Sequence, residues 1–313
     1  VHNEADGFHF CDEYFGHNGR TGGGLFILRD FQGAKQKVDI VAGLKVPAGM
    51  VNAGQTLSSG TFLSPDLSFD GKTVVFAWSS GGGEKWQAKN RFHLFKVDLD
   101  GTNLAQLTDG NFDDIHPAWM PNGRIIFVST RRGGYGRCHG RPVPSYTLHS
   151  MKSDGTDMIR LSYHETNEFH PQIANDGRII FTRWDYIDRD FNAAHHLWMC
   201  NPDGSNPRAY GGNYVAPMDT IGSGPWSDGR YQDRPFAEYY GRPLPGSTTK
   251  FVTTAGPHHG EAYGTLIIRD YSKIDDNLLG QVTKLTPEVA FPEARGGTLT
   301  YGPAYPLSET LFL

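Results

Sequence analysis

The stretch IHPAWMPNGRIIFVSTRR at 115–132 decides the fold, because versions of it recur on either side. FLSPDLSFDGKTVVFAWSS occupies 62–80 and FHPQIANDGRIIFTRWD occupies 169–185. Each opens on Ser-Pro or His-Pro, passes an Asp-Gly or Asn-Gly pair, and runs into β-branched and aromatic residues. That order reads as a short strand, a tight turn and a second strand.

A second unit follows each copy: FHLFKVDLDGTNLAQLTDG (92–110), YTLHSMKSDGTDMIRLSYH (146–164) and HLWMCNPDGSNPRAYGG (196–212). Here two strands flank an Asp-Gly turn, the signal of a hairpin. Four strands per repeat of about fifty residues, without helical periodicity, define the blade of a β-propeller. The expected fold class is therefore all-β, a β-propeller of four-stranded blades. The Ser-Pro-Asp-type turn and the DGTNLAQLT hairpin resemble the TolB-like propeller repeat, which implies six blades when complete, of which this chain is expected to be a fragment. Its expected layout is an N-terminal segment 1–21 outside the repeat, then a propeller over 22–313. The propeller divides into a partial blade (22–47), blades at 60–110, 111–165 and 166–213, an insertion with a degenerate blade (214–290), and the start of another (298–313).

The bulk properties agree. The 313 residues are 38% hydrophobic and 20% charged, with Gly 39 and Pro 19, a composition suited to many tight turns. A net charge of −5 gives no support for a nucleic-acid partner. No apolar run reaches the roughly 18 residues of a membrane span. Cys11, Cys138 and Cys200 are too few for a disulfide framework, and Cys200 reads as a small buried hydrophobe.

Four further segments carry a resemblance: DEYFGHNGRTGGGLFILRD (12–30), STRRGGYGRCHGRPVPSYTLHSMKSDGTD (129–157), HHGEAYGTLIIRD (258–270) and YPLSETLFL (305–313). Together, in order, they resemble the hydrazine synthase alpha-subunit family. The resemblance implies a propeller flanked by regions that bind c-type haem. It further implies redox chemistry, a bacterial periplasmic or otherwise extracytoplasmic setting, and partners that are other domains or subunits of a redox complex.

In a propeller the innermost strand A and its neighbour B run antiparallel, so the start of A and the end of B share a face. Ser64, His116 and His170 are expected to open strand A, each capping it or, for the imidazoles, converging with His258 or His259 on Zn²⁺ or another divalent metal. The B-to-C connections at 79–91, 131–145, 185–195 and 256–263 are long, whereas the turns on the other face are minimal. That asymmetry marks a functional face. The second connection holds Cys138-His139, half of the Cys-x-x-Cys-His pattern of c-type haem, with Tyr135 where the first thiol would stand. The family resemblance implies an iron-ligating tyrosine, for which Tyr146 is the nearest downstream. Alternatively Cys138 and His139 bind zinc with Cys11. Arg131, Arg132, Arg137 and Arg141 then hold a haem propionate or a carboxylate substrate, or form salt bridges to Asp185, Asp188 and Asp190. Three functions compete: a redox-protein propeller, a non-catalytic interaction platform, and a metal-dependent lyase or hydrolase on a carboxylated sugar.

Overall fold

The computed structural model describes residues 14–30, 32–135, 144–185, 195–209, 235, 237–257, 260–273, 280–291 and 300–313. They fall into two compact units, one of 14–132 with 148–160, the other drawn from 133–147 and 161–313. Among them the regular structure is strand, with a few single-turn 3-10 segments.

In the first unit β1 (Phe26–Arg29) and β2 (Gln36–Asp39) form a hairpin. Blade 1 follows as β3 (Thr61–Leu67), β4 (Thr73–Ser79), β5 (His93–Asp98) and β6 (Ala105–Gln106), hydrogen-bonded in that order. Blade 2 repeats the order with β7 (Asp114–Trp119), β8 (Arg124–Ser129), β9 (Thr147–Lys152) and β10 (Ile159–Arg160). The second unit contains blade 3, made of β11 (Glu168–Ile173), β12 (Ile179–Trp184), β13 (His195–Cys200) and β14 (Arg208–Ala209). It also contains blade 4, made of β15 (Ala237–Pro243), β16 (Lys250–Gly256), β17 (Thr265–Asp270) and β18 (Val282–Lys284). A single parallel bridge, His195 with Ala237, joins blades 3 and 4 into one sheet.

The second strand of each blade is covered on both faces, which is why TVVFAWS, RIIFVS and IIFTRW read as nearly continuous apolar runs rather than alternating ones. In the first unit Phe76, Trp78 and Phe95 pack on Leu25, Ile40 and Val41 of the β1–β2 hairpin. Each such side chain contributes about 1.5–3 kcal/mol of transfer free energy.

Two details of the repeat escape the sequence. Ser64, His116 and His170 do not open their strands. They lie inside β3, β7 and β11 with φ of 49°, 51° and 52°, and Tyr240 in β15 matches them at 55°. At each, the ladder skips register, between Leu63 and Asp66, Ile115 and Ala118, Phe169 and Gln172, and Tyr239 and Arg242. At the first three the cause is the following residue, whereas Tyr240 precedes Gly241, on which a Cβ would stand 2.8 Å from a Leu197 methyl. Pro65, Pro117 and Pro171 have no N–H for the ladder and bar the preceding residue from the right-handed helical region. A bulge on an edge strand accommodates both restrictions.

The second detail is the Asp-Gly turn of each outer hairpin. A Cβ on Gly101 would stand 2.9 Å from the Ile40 carbonyl, and one on Gly155 would stand 2.6 Å from the Leu107 carbonyl. Gly204 meets the Leu161 carbonyl in the same way. Each glycine thus also lets its turn rest on the backbone of the preceding repeat unit.

Candidate functional site

The ladder pairs Thr61–Ser79, Asp114–Ser129, Glu168–Arg183 and Ala237–Gly256 bring the start of the first strand and the end of the second to one edge of each blade. The long connections leave from that edge, while the opposite turns close in a few residues, as at Met120–Arg124 and Ala174–Arg178.

In the first unit this edge is organised by two adjacent buried carboxylates. Asp113 Oδ1 accepts from the backbone N of Phe92 (3.0 Å) and of Gly16 (3.2 Å), and Oδ2 meets Arg91 Nη1 at 2.5 Å. Asp114 receives Arg131 through Nε at 3.1 Å and Nη2 at 2.7 Å, and Ser129 Oγ at 2.6 Å. The Arg131 guanidinium also lies over the Phe112 ring at 4.7 Å. His116 is buried edge-on against Tyr14, ring centroids 4.6 Å apart, and burial holds its imidazole down to about 3. Burial also lowers His93, which packs in β5.

The second unit repeats the scheme with different chemistry. Asn167 stands where Asp113 does, and its Oδ1 accepts from Tyr146 N at 2.8 Å. Glu168 replaces Asp114 and binds Arg183 through Nε at 3.0 Å and Nη2 at 2.7 Å. In blade 4 the equivalent Glu238 is fully buried and binds Arg269 Nε at 2.7 Å, with His196 Nδ1 at 3.8 Å. Burial raises the Glu238 carboxyl, but the Arg269 charge and His196 outweigh it, so the group stays ionised below the ordinary glutamate range. His170 lies against Tyr240, centroids 3.8 Å apart.

The connection bearing the half haem motif springs from a closed stem. Ser145 N donates to Gly134 O at 3.0 Å, and Tyr135 bridges Pro144. Cys138 and His139 themselves lie outside the described residues, as do Cys11, His258 and His259. Of the arginines, Arg132 is half-buried, whereas Arg131 is bound to Asp114 of its own blade. Asp185 in turn is paired with His164. Tyr146 is fully buried and occupies the place that Phe92 fills one repeat earlier, with its ring 5.7 Å from Phe169. His116 and His170 belong to different units, and each packs within its own. Cys200 is buried, and burial pushes its thiol up to about 12, so it is an inert hydrophobe. Among the described residues no group of three or more His, Cys, Asp or Glu is placed to hold a metal ion. No helix among them is long and apolar enough to cross a membrane.

The residues that sequence reasoning missed are the carboxylates. Asp114, Glu168 and Glu238 share one repeat position, two before the bulge. Their signal is an acid in front of an apolar residue and His-Pro or Tyr-Gly: DIHP, EFHP, EYYG.

These strands and blades define the class of protein: an all-β β-propeller built of four-stranded blades. Hydrazine synthase of Kuenenia stuttgartiensis superposes on 86% of this chain with a TM-score of 0.61 at 16% sequence identity, a likeness that establishes the fold. TolB from Acinetobacter baumannii superposes on 76% of the chain and 47% of its own, with a TM-score of 0.46 at 14% identity. In sequence, a dipeptidyl-peptidase 5 of Porphyromonas gingivalis is 34% identical over 94 residues, which is 28% of this chain. The chain spans 36% of the hydrazine synthase chain and 14% of the dipeptidyl-peptidase. No known family profile matches it.

Proposed function

We propose that this chain is the propeller domain of an extracytoplasmic redox protein related to hydrazine synthase, supporting a haem or metal on its loop-rich face. The observation that carries this reading is the stem at Gly134–Tyr135 and Pro144–Ser145. It fixes both ends of the segment holding Cys138 and His139, the thiol and imidazole that haem or zinc requires. The resemblance in sequence to the hydrazine synthase alpha-subunit family supports the same reading.

The described residues limit how such a group would be held. Tyr146 does not fit an iron ligand, because its ring is enclosed in the core and its backbone is tied to Asn167 and Glu168. Arg131 does not fit a propionate contact, because Asp114 already neutralises it. The group would therefore rest on Cys138, His139 and Arg132, together with residues of a neighbouring domain or subunit. A bound haem would supply one-electron chemistry, and the propeller's part would be to hold both ends of the connection.

A second reading, a non-catalytic interaction platform, is favoured by the buried pairs themselves. Arg131, Arg183 and Arg269 are each committed to a carboxylate. The same commitment weighs against a lyase or hydrolase that grips a carboxylated sugar. The test is an absorption spectrum and metal analysis of untagged protein carrying its neighbouring domains. The redox reading expects a Soret band or stoichiometric metal that Cys138→Ala and His139→Ala abolish. Protein free of both, with the two variants unchanged, leaves the platform.

A further inference from the structure

Arg242 belongs to β15, two residues past the left-handed Tyr240, and the function proposed above makes no use of it. It pairs with Val252, whereas Ala237 and Gly256 mark the edge that carries the long connection. Arg242 therefore lies towards the tight turn that Leu244 and Lys250 close. Asp66, Ala118 and Gln172 hold the same position in the other blades, two past Ser64, His116 and His170. A side chain there reaches the next repeat, as Asp66 does by accepting from Trp119 N at 2.8 Å.

Its electrostatics set Arg242 apart. Arg91, Arg124, Arg131, Arg178, Arg183 and Arg269 are buried or half-buried, and each has a carboxylate oxygen within 2.8 Å. Arg242 is also half-buried, but among the described residues no carboxylate reaches it. Two neutral groups hold it instead. Nη1 donates to Gln172 Oε1 at 3.4 Å, and the guanidinium lies over the Tyr305 ring at 5.2 Å. An amide oxygen and a ring face orient a guanidinium without cancelling its charge. Nε and Nη2 find no partner among the described residues, and Tyr305 is 54% exposed, so a ligand can approach both.

We propose that Arg242 is a binding site for a carboxylate ligand, held in place by Gln172 from blade 3 and Tyr305 from the segment after blade 4. A carboxylate matches the open Nε–Nη2 edge in plane and in charge, one unit against one, through two parallel N–H···O bonds. Each of the six paired arginines meets such a group within the chain; Arg242 is built to meet one from outside. The site stands away from the loop-rich edge and needs neither Cys138 nor His139, so it is independent of the group proposed there.

Titration of nitrogen-15-labelled protein with acetate, followed by NMR at the arginine Nε–H signals, tests the proposal. The Arg242 signal should move and saturate, with half the effect at roughly millimolar acetate. Acetamide, which has the shape without the charge, should leave it still, as should sodium chloride at equal ionic strength. The Nε–H signals of Arg131, Arg183 and Arg269 should not respond, because their carboxylates already fill the fork. Arg242→Lys keeps the charge but loses the fork and should weaken binding about five- to tenfold, read from the backbone amides around Tyr305. Tyr305→Leu should weaken it about two- to threefold. A drift shared with chloride or with Arg183, or an affinity that Arg242→Lys leaves unchanged, overturns the site. Inorganic phosphate binding as tightly as acetate overturns its assignment to a carboxylate. Should the variants fail to fold, the comparison of Arg242 with the three paired arginines in the wild-type protein still decides.

Discussion

Asp113 in the first unit and Asn167 in the second occupy the same place in successive repeats. Each accepts a backbone N–H from the residue that leads into a third strand, Phe92 at 3.0 Å and Tyr146 at 2.8 Å. Each is followed by a residue whose N–H returns to that same leading residue, at 2.9 Å in both cases. Each carbonyl takes the N–H that closes the second strand, from Thr130 and Trp184. The side-chain charge differs, and Asp113 also accepts a further N–H, from Gly16. Asp113 brings a carboxylate and, with it, Arg91; Asn167 brings an amide, and among the described residues no guanidinium partner is found at its Oδ1. The fold needs an acceptor here, and where the acceptor is charged a cation accompanies it.

Separating the charge from its partner is the sharpest way to break that equivalence. Arg91→Met leaves Asp113 buried without its guanidinium and should cost about 3–5 kcal/mol in urea denaturation. Adding Asp113→Asn to the same chain makes the first repeat resemble the second, and most of the loss should return. A double variant no more stable than Arg91→Met alone would show that Arg91 acts by packing on Trp86, over which its guanidinium lies at 5.1 Å.

The reverse exchange is milder. Asn167→Asp keeps the bond to Tyr146 but adds a buried charge, for about 2–3 kcal/mol at pH 7. Such a carboxyl titrates higher folded than unfolded, so the folded protein binds the extra proton more tightly. The variant should recover stability as pH falls through that raised value, approaching the parent. A deficit that is flat from pH 7 to pH 4 would mean the new charge has found a partner.

The same comparison shows how much was legible in the sequence. The blades were, because Asp-Gly turns and β-branched runs are local signals with local causes. The acid–arginine pairs were not. Their carboxylates share a register, but their arginines do not: Arg131 follows the second strand, Arg183 lies within it, and Arg269 comes from the third. A repeat search finds equivalent positions and misses partners supplied from non-equivalent ones. The histidine positions were legible as a repeat but not as a bulge. His-Pro at a repeated position looks like ligand chemistry, whereas Ser64, His116, His170 and Tyr240 share a backbone requirement, a left-handed residue at a bulge. That requirement leaves the side chain free to vary.

His116 offers the smallest effect and the cleanest sign. Its imidazole titrates near pH 3 folded, against an ordinary value of 6.5, because burial excludes the charged form. Between those values the unfolded chain binds a proton that the folded chain refuses. Stability that is complete above pH 6.5 is therefore lost as pH falls towards 3. Asn accepts the left-handed φ of 51° and does not titrate. His116→Asn should cost about 1–2 kcal/mol at pH 7 through the lost contact with Tyr14, and less at pH 5, where the parent is itself weakened. Urea midpoints of the two proteins should thus converge on acidification, with His93 keeping some acid sensitivity in both. Parallel pH profiles would mean that His116 can be protonated in place, and the bulge would then be a site where an imidazole meets a charge or solvent rather than a purely conformational device.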